Sequence, residues 1–248
     1  MASPHTAPRG HKILTVLDAL AAAVGPQRLG DLAAATGLTK PTLHRLLAVL
    51  SSDGWAVARD GGFYELGPRA RALGTAAGGA WGDLVEEAIR ELAADVNQAV
   101  HVGVLAGGTV LYTHKAAGPQ AFAMRSRVGS RMPVHSTGVG KAMLARLPED
   151  EVRSIVAARG LQAWTATTIT GVEDLLAELE QVRRDGYAVD REENEANVRC
   201  IAVPLCVAGR TTGALSVSTI AFLTPLEELL AMVPRLQATA RVIAEELG

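Results

Sequence analysis

Two groups of polar residues in this chain are spaced to do chemistry. Ser216 and Ser218 stand two apart in a β-prone run, so on a strand both hydroxyls face one side. Hydroxyls at two inward positions are costly unless hydrogen-bonded, which points either to a polar pocket or to a face that meets solvent. Far upstream, Lys40, Thr42, His44 and Arg45 crowd the start of a helix-like segment. Short polar and cationic side chains at a helix start are suited to phosphates and base edges.

Other combinations fall short. His135, Cys200 and Asp190 are the residue types of a nucleophilic enzyme. Without a Gly-x-Ser-x-Gly elbow they read better as structural residues, and no enzyme is expected. Gly138-Val139-Gly140-Lys141 has the look of a phosphate loop, but position 135 is His where the first Gly is needed. Ala142 also stands where Ser or Thr would hold the metal. His101, His114, His135 and the two cysteines lack metal-ligand spacing, so neither a metal nor a cofactor is expected.

The elements that must position these groups are legible as periodicities. Ile13, Leu14, Val16, Leu17, Leu20 and Val24 recur at helical spacing until Gly25-Pro26. A short helix with Leu29, Leu32 and Ala33 inward is closed by Gly37. Thr39 is placed to cap a third helix with its hydroxyl, Pro41 suits its first turn, and Leu43, Leu46, Leu47 and Leu50 form its buried side. Two short β-prone runs around Asp60-Gly61-Gly62 read as a hairpin. Three helices and a small hairpin make a winged helix-turn-helix, over residues 11–67 after a flexible arm of residues 1–10.

A helical stretch from Arg69 thins out through Gly74–Gly79, and a second helix runs from about Trp81 to Asn97. The linker is therefore 68–80, with a second domain over 81–248. There, Val100–Leu105 and Thr109–Lys115 read as a hairpin, Ala121–Ser126 as strand-like and Thr137–Leu147 as helical. Val172–Asp185 is a long helix. Tyr187–Glu192, Cys200–Val207 and Gly213–Ile220 are strands, and a final helix covers about Pro225–Leu247. Strand pairs mixed with helices predict an α+β fold, an antiparallel sheet flanked by helices.

Bulk properties agree. The 248 residues are 48% hydrophobic and 20% charged, enough for two cores, and two cysteines exclude a disulfide framework. No secretory signal and no membrane-length apolar run is present, so a cytoplasmic location away from membranes is expected. Residues 1–80 hold eight Lys/Arg against five Asp/Glu, a basic head on a chain of net charge −2.

The run Leu32 to Leu47, LAAATGLTKPTLHRLL, resembles the DNA-reading segment of IclR-type transcriptional regulators, with Pro41 where Ser is more usual. Tyr64-Glu65-Leu66-Gly67-Pro68-Arg69, Arg125–Lys141, Gly186–Glu195, Val198–Pro204 and Gly213–Ser218 match that family in order. The resemblance implies a GAF-like ligand domain, double-stranded operator DNA as partner, and a homodimer or homotetramer. It implies DNA contacts from Thr39, Lys40, Pro41, Thr42, His44, Arg45 and, on the hairpin, Arg59. It also places Asp190, Cys200, Ser216 and Ser218 around a small-molecule effector, with the N–H groups of Gly138 and Val139 opposite and Ala121 and Met124 as an apolar wall. Such a set suits a small organic acid: a helix start favours an anion, and Asp190 would accept from a ligand hydroxyl. The competing reading is an enzyme or ligand-carrier domain fused to a helix-turn-helix used for protein contacts.

Overall fold

The structure, a computed structural model, describes residues 8–23, 25–118 and 126–246. It divides into two compact units, Met1–Ala80 and Trp81–Gly248. Of the sequence-based expectations, the arm up to residue 7, Val24, the strand-like run 121–125 and the end of the last helix fall outside the described residues.

In the first unit, α1 (Arg9–Ala22), α2 (Leu29–Thr36) and α3 (Lys40–Ser52) enclose Val16, Leu20, Leu32, Leu43 and Leu47. The helix begins at Arg9, two residues inside the expected arm. Pro8 precedes it in an extended conformation, and its carbonyl accepts from the Lys12 N–H. Gly37 ends α2 at φ +68°, its N–H bonded to the Ala33 carbonyl. Thr39 stands at the α3 N-cap as expected, but its hydroxyl makes no capping bond. It donates instead to the Thr42 hydroxyl at 3.0 Å. The hairpin is β2 (Ala56–Arg59) and β3 (Phe63–Leu66), turning through Gly61 and Gly62, both at positive φ. The two-residue β1 (Gln27–Arg28), too short for any periodicity to announce, adds to β3.

The two helices expected around Gly74–Gly79 are one helix, α4 (Pro68–Val96). Each Gly costs a helix only about 1 kcal/mol, and this stretch has intervening Ala and no internal Pro to stop it. Asn97, at φ +52°, ends it.

The second unit is built on one antiparallel sheet in the order β6-β5-β4-β9-β8-β7. Its strands are β4 (Ala99–Ala106), β5 (Thr109–Ala117), β6 (Arg131–Met132), β7 (Ala188–Arg191), β8 (Val198–Val207) and β9 (Arg210–Ile220). Along β9, Leu215 and Val217 pack toward α4, α8 (Leu226–Ala231) and α9 (Val233–Glu246). On the opposite face, Ala202 and Ala214 pack toward α5 (Gly138–Leu144), α6 (Glu149–Arg159) and α7 (Val172–Asp185). The sheet is thus covered by helices on both sides, as the mixed pattern predicts. The single final helix expected from Pro225 is two, parted at Met232 because Pro234 is tolerated in a first turn but not mid-helix. Helix α6 escaped notice, although its acidic first turn, Val152 and Val156 at i and i+4, and Gly160 were all readable.

Candidate functional site

The sheet register builds a polar patch from residues far apart in sequence. Asp190 pairs with Cys200, Cys200 with Ser218, and Ser218 with Ala99; one step along, Ala202 pairs with Ser216 and Ser216 with His101. Residues two apart share a face, so Cys200, Ser216, Ser218 and His101 project to one side. Helix α5 lies over them. At Gly138 a Cβ would stand 3.4 and 3.5 Å from the Cβ atoms of Ala202 and Cys200, ordinary van der Waals contact, so the helix start packs directly on the sheet. Gly140, by contrast, must be glycine, because a Cβ there would overlap the Val134 backbone. Thr137 caps α5, its hydroxyl accepting the Gly140 N–H at 3.2 Å.

A cavity of about 130 Å³ remains between α5 and the sheet. Gly138, Val139, Asp190, Cys200, Ser216 and Ser218 all line it. Ser216 and Ser218 are almost wholly buried, which answers the choice left open by their spacing: this face does not meet solvent. His101, Tyr112, Met132, Asn194 and Glu195 line the cavity too and were missed. Ala121 and Met124 lie outside the described residues.

Burial sets the chemistry of this cavity. It pushes the His101 imidazole down to about 3, so the ring is neutral, with Nε2 2.8 Å from the Ser126 hydroxyl and Nδ1 3.4 Å from that of Ser218. Burial, and then the nearby Asp190 charge, pushes the Cys200 thiol up, and the thiol donates to the Ser218 hydroxyl at 3.0 Å. Asp190 is pushed up to about 7, chiefly by burial, although its Oδ1 accepts the Glu193 N–H at 2.7 Å. The expected role for Asp190, a free acceptor for a ligand hydroxyl, is therefore narrowed: one oxygen is engaged, and near neutral pH the group is partly protonated.

Lys141 holds the cavity's walls together. Fully buried, its Nζ donates to Glu193 Oε1 and the Val189 carbonyl, both at 2.6 Å, and to Glu178 Oε1 at 2.9 Å. This ties α5 to α7 and to the Glu193 segment. The lysine that superficially suggested a phosphate loop is an internal cross-brace. Thr165 and Thr168 add to it by donating to the carbonyls of Glu192 and Glu193. His135, with Nε2 3.1 Å from the Gln162 carbonyl, is not among the residues lining the cavity. Among the described residues, no three His, Cys, Asp or Glu side chains are grouped to hold a metal ion, and no helix is long and apolar enough to cross a membrane.

In the first unit, Thr39, Lys40, Pro41, His44 and Arg45 are exposed at the start of α3, with Thr42 half-buried among them. Arg59 is exposed on the hairpin, but Glu65 holds it at 2.6 Å and also receives Arg71. The Arg59 hydrogen bond keeps the Glu65 carboxyl below its ordinary range.

Known proteins match both units. The family model for the IclR helix-turn-helix domain matches residues 11–60, and that for the bacterial transcriptional regulator IclR C-terminal domain matches residues 83–245. The HTH-type transcriptional regulator XynR of Escherichia coli K12 is 33% identical over 242 residues, covering 96% of each chain. The crystal structure of the Thermotoga maritima IclR superposes at a TM-score of 0.72 with 26% identity, covering 96% of this chain and 98% of that one. An IclR homologue of Microbacterium hydrocarbonoxydans, solved in complex with 4-hydroxybenzoate, has the same fold at a TM-score of 0.80 and 23% identity, covering 95% and 97%. A helix-turn-helix whose third helix starts polar and exposed, joined to a helix-covered antiparallel sheet with a cavity lined by hydroxyl, thiol and carboxyl groups, is thus matched along nearly its whole length, and the chain belongs to the IclR family of DNA-binding transcriptional regulators.

Proposed function

We propose that the cavity between α5 and the sheet is the effector site and that its ligand is a small organic acid with a further polar group. The observation that carries this reading is the burial of Ser216, Ser218 and Asp190, with half-buried Cys200, around one cavity at the start of α5. The first N–H groups of a helix have no intrahelical acceptor, so those of Gly138 and Val139 are available to a carboxylate. The partly protonated Asp190 reduces the repulsion such an anion would otherwise meet. A relative of the same fold with a hydroxylated aromatic acid bound supports the class of ligand. Ser216→Ala should weaken effector binding about ten- to a hundredfold, the loss of one hydrogen bond to a charged group, with DNA binding in its absence near normal. Titration calorimetry on the full chain reads this, once a thermal-shift screen of small acids has identified a ligand. Unchanged affinity would move the site elsewhere.

We assign no catalysis to this chamber. A nucleophilic cysteine needs a lowered pKa, whereas burial raises that of Cys200, and His135 is engaged with a backbone carbonyl away from the cavity.

Residues 9–67 are the DNA-reading domain in this proposal, with α3 in the major groove, the segment 68–80 as linker and 81–248 as sensor. Arg45→Ala and Lys40→Ala should each flatten the dependence of DNA affinity on salt by about one unit of slope, with the fold intact. Mobility shifts over a salt series check this, and an unchanged slope in both variants removes α3 from the groove. One winged helix gives a small footprint, so the working form is a homodimer or homotetramer on a near-palindromic site. A monomer by light scattering, alone and on DNA, would overturn that.

A further inference from the structure

The first unit contains a second cationic feature, distinct from the exposed start of α3. Arg9 and Lys12 lie three apart on α1 and so share one face. Thr42, Arg45 and Leu46 are spaced likewise on α3. The two sets line a single cleft of about 270 Å³, with buried Leu46 among its walls. Three cationic side chains and one hydroxyl border it, and no carboxylate does among the described residues. Lys and Arg alternating with a hydroxyl are the donors that phosphodiester oxygens take up in nucleic-acid complexes.

Arg45 belongs both to this cleft and to the outward face of α3, so an anion held here lies beside whatever α3 reads. We propose that the cleft between α1 and α3 seats a backbone phosphate of the bound DNA, with Arg9 and Lys12 as sequence-independent positioning contacts that fix how deeply α3 enters the groove. This rests on the DNA-binding function of the family. It adds α1 to an interface that the sequence confined to α3 and the hairpin. The sequence pattern does not show it, because Arg9 precedes the apolar periodicity of α1 and only the packing of α1 against α3 brings it beside Arg45.

The test uses the full chain and a fluorescein-labelled duplex of about 30 base pairs and arbitrary sequence, titrated by anisotropy across a potassium chloride series. Each phosphate contact contributes about 0.9 to the slope of log affinity against log salt. Arg9→Ala/Lys12→Ala should therefore lower that slope by about one and weaken binding at low salt at least tenfold. Arg9→Lys/Lys12→Arg should retain the parental slope. A charge-matched control, Arg153→Ala/Arg210→Ala in the other unit, should leave the slope unchanged. Inorganic phosphate at millimolar concentration should displace the duplex no better than its ionic strength predicts, since one seat of a multi-contact interface holds a free anion weakly. Strong competition by phosphate would make the cleft a free-anion site and overturn the proposal. An unchanged slope in the double variant, or an equal loss in the control, would also overturn it, while the regulator reading stands. A parent chain with no salt-dependent DNA binding would overturn both.

Discussion

Replacing Lys141 by methionine is expected to destabilise the second unit by about 3–5 kcal/mol, the cost of removing one partner from a buried ion pair. Methionine is close to lysine in shape, so packing is largely retained and the loss is electrostatic. Its removal leaves Glu193, whose side chain is 5% exposed, without its cation, and takes the ammonium donor from the Val189 carbonyl. Glu193 Oε2 already lacks a hydrogen-bond partner among the described residues, so the carboxylate has little to fall back on. Burial already pushes the Glu193 carboxyl above its ordinary range against the pull of Lys141. Lys141→Met/Glu193→Gln should therefore recover much of the loss, because an amide can be buried neutral. Urea unfolding followed by circular dichroism measures both variants. A loss below about 1 kcal/mol in the single variant would show that the brace contributes little.

The second large effect concerns Asp190 and depends on pH. Its pKa is about 7 in the folded chain against an ordinary value of 3.8, so the folded state binds the proton more tightly than the unfolded state. The stability this group contributes is fully present below about pH 4 and is lost as pH rises through 7. At pH 8 the ionised, buried carboxylate costs on the order of 2–4 kcal/mol. Asp190→Asn, which cannot ionise, should be more stable than the parent at pH 8, with the gap closing by about pH 4. Urea midpoints at the two pH values decide it, and a gap of equal size at both would rule out ionisation as the cause. On the proposal that this chamber is the effector site, a destabilising acid there is a trade of stability for function. The same titration should weaken binding of an anionic effector at alkaline pH.

Local pattern was enough for most elements of both units. Helix α7, with its apolar residues at helical spacing and Gly186 in the left-handed conformation after it, was legible to the residue. The hairpin turning at Gly61-Gly62 and the buried side of α3 were legible for the same reason: short-range periodicity and turn chemistry specify them without long-range help. The pairing of Ser216 with Ser218 on one strand face was also local, because the strand repeat is two.

What stayed hidden depends on partners distant in sequence. His101 joins the chamber only because β4 pairs with β9, and Tyr112 only because β5 pairs in turn with β4. Nothing within either strand records that register. In sequence, Lys141 carries no sign of its role: the phosphate-loop likeness around it fails, and nothing local names a partner. The fold makes it an internal brace by placing Glu178 and Glu193, 37 and 52 residues away, around its ammonium group. Asp190 was identifiable by resemblance, but its shifted ionisation comes from desolvation, which exists only once α5 covers the sheet. The sequence by itself determined most of the elements, the two-part organisation and several of the residue types at the chamber. Tertiary packing decided the register, the burial and hence the protonation states, because these are set by neighbours that the chain brings together only on folding.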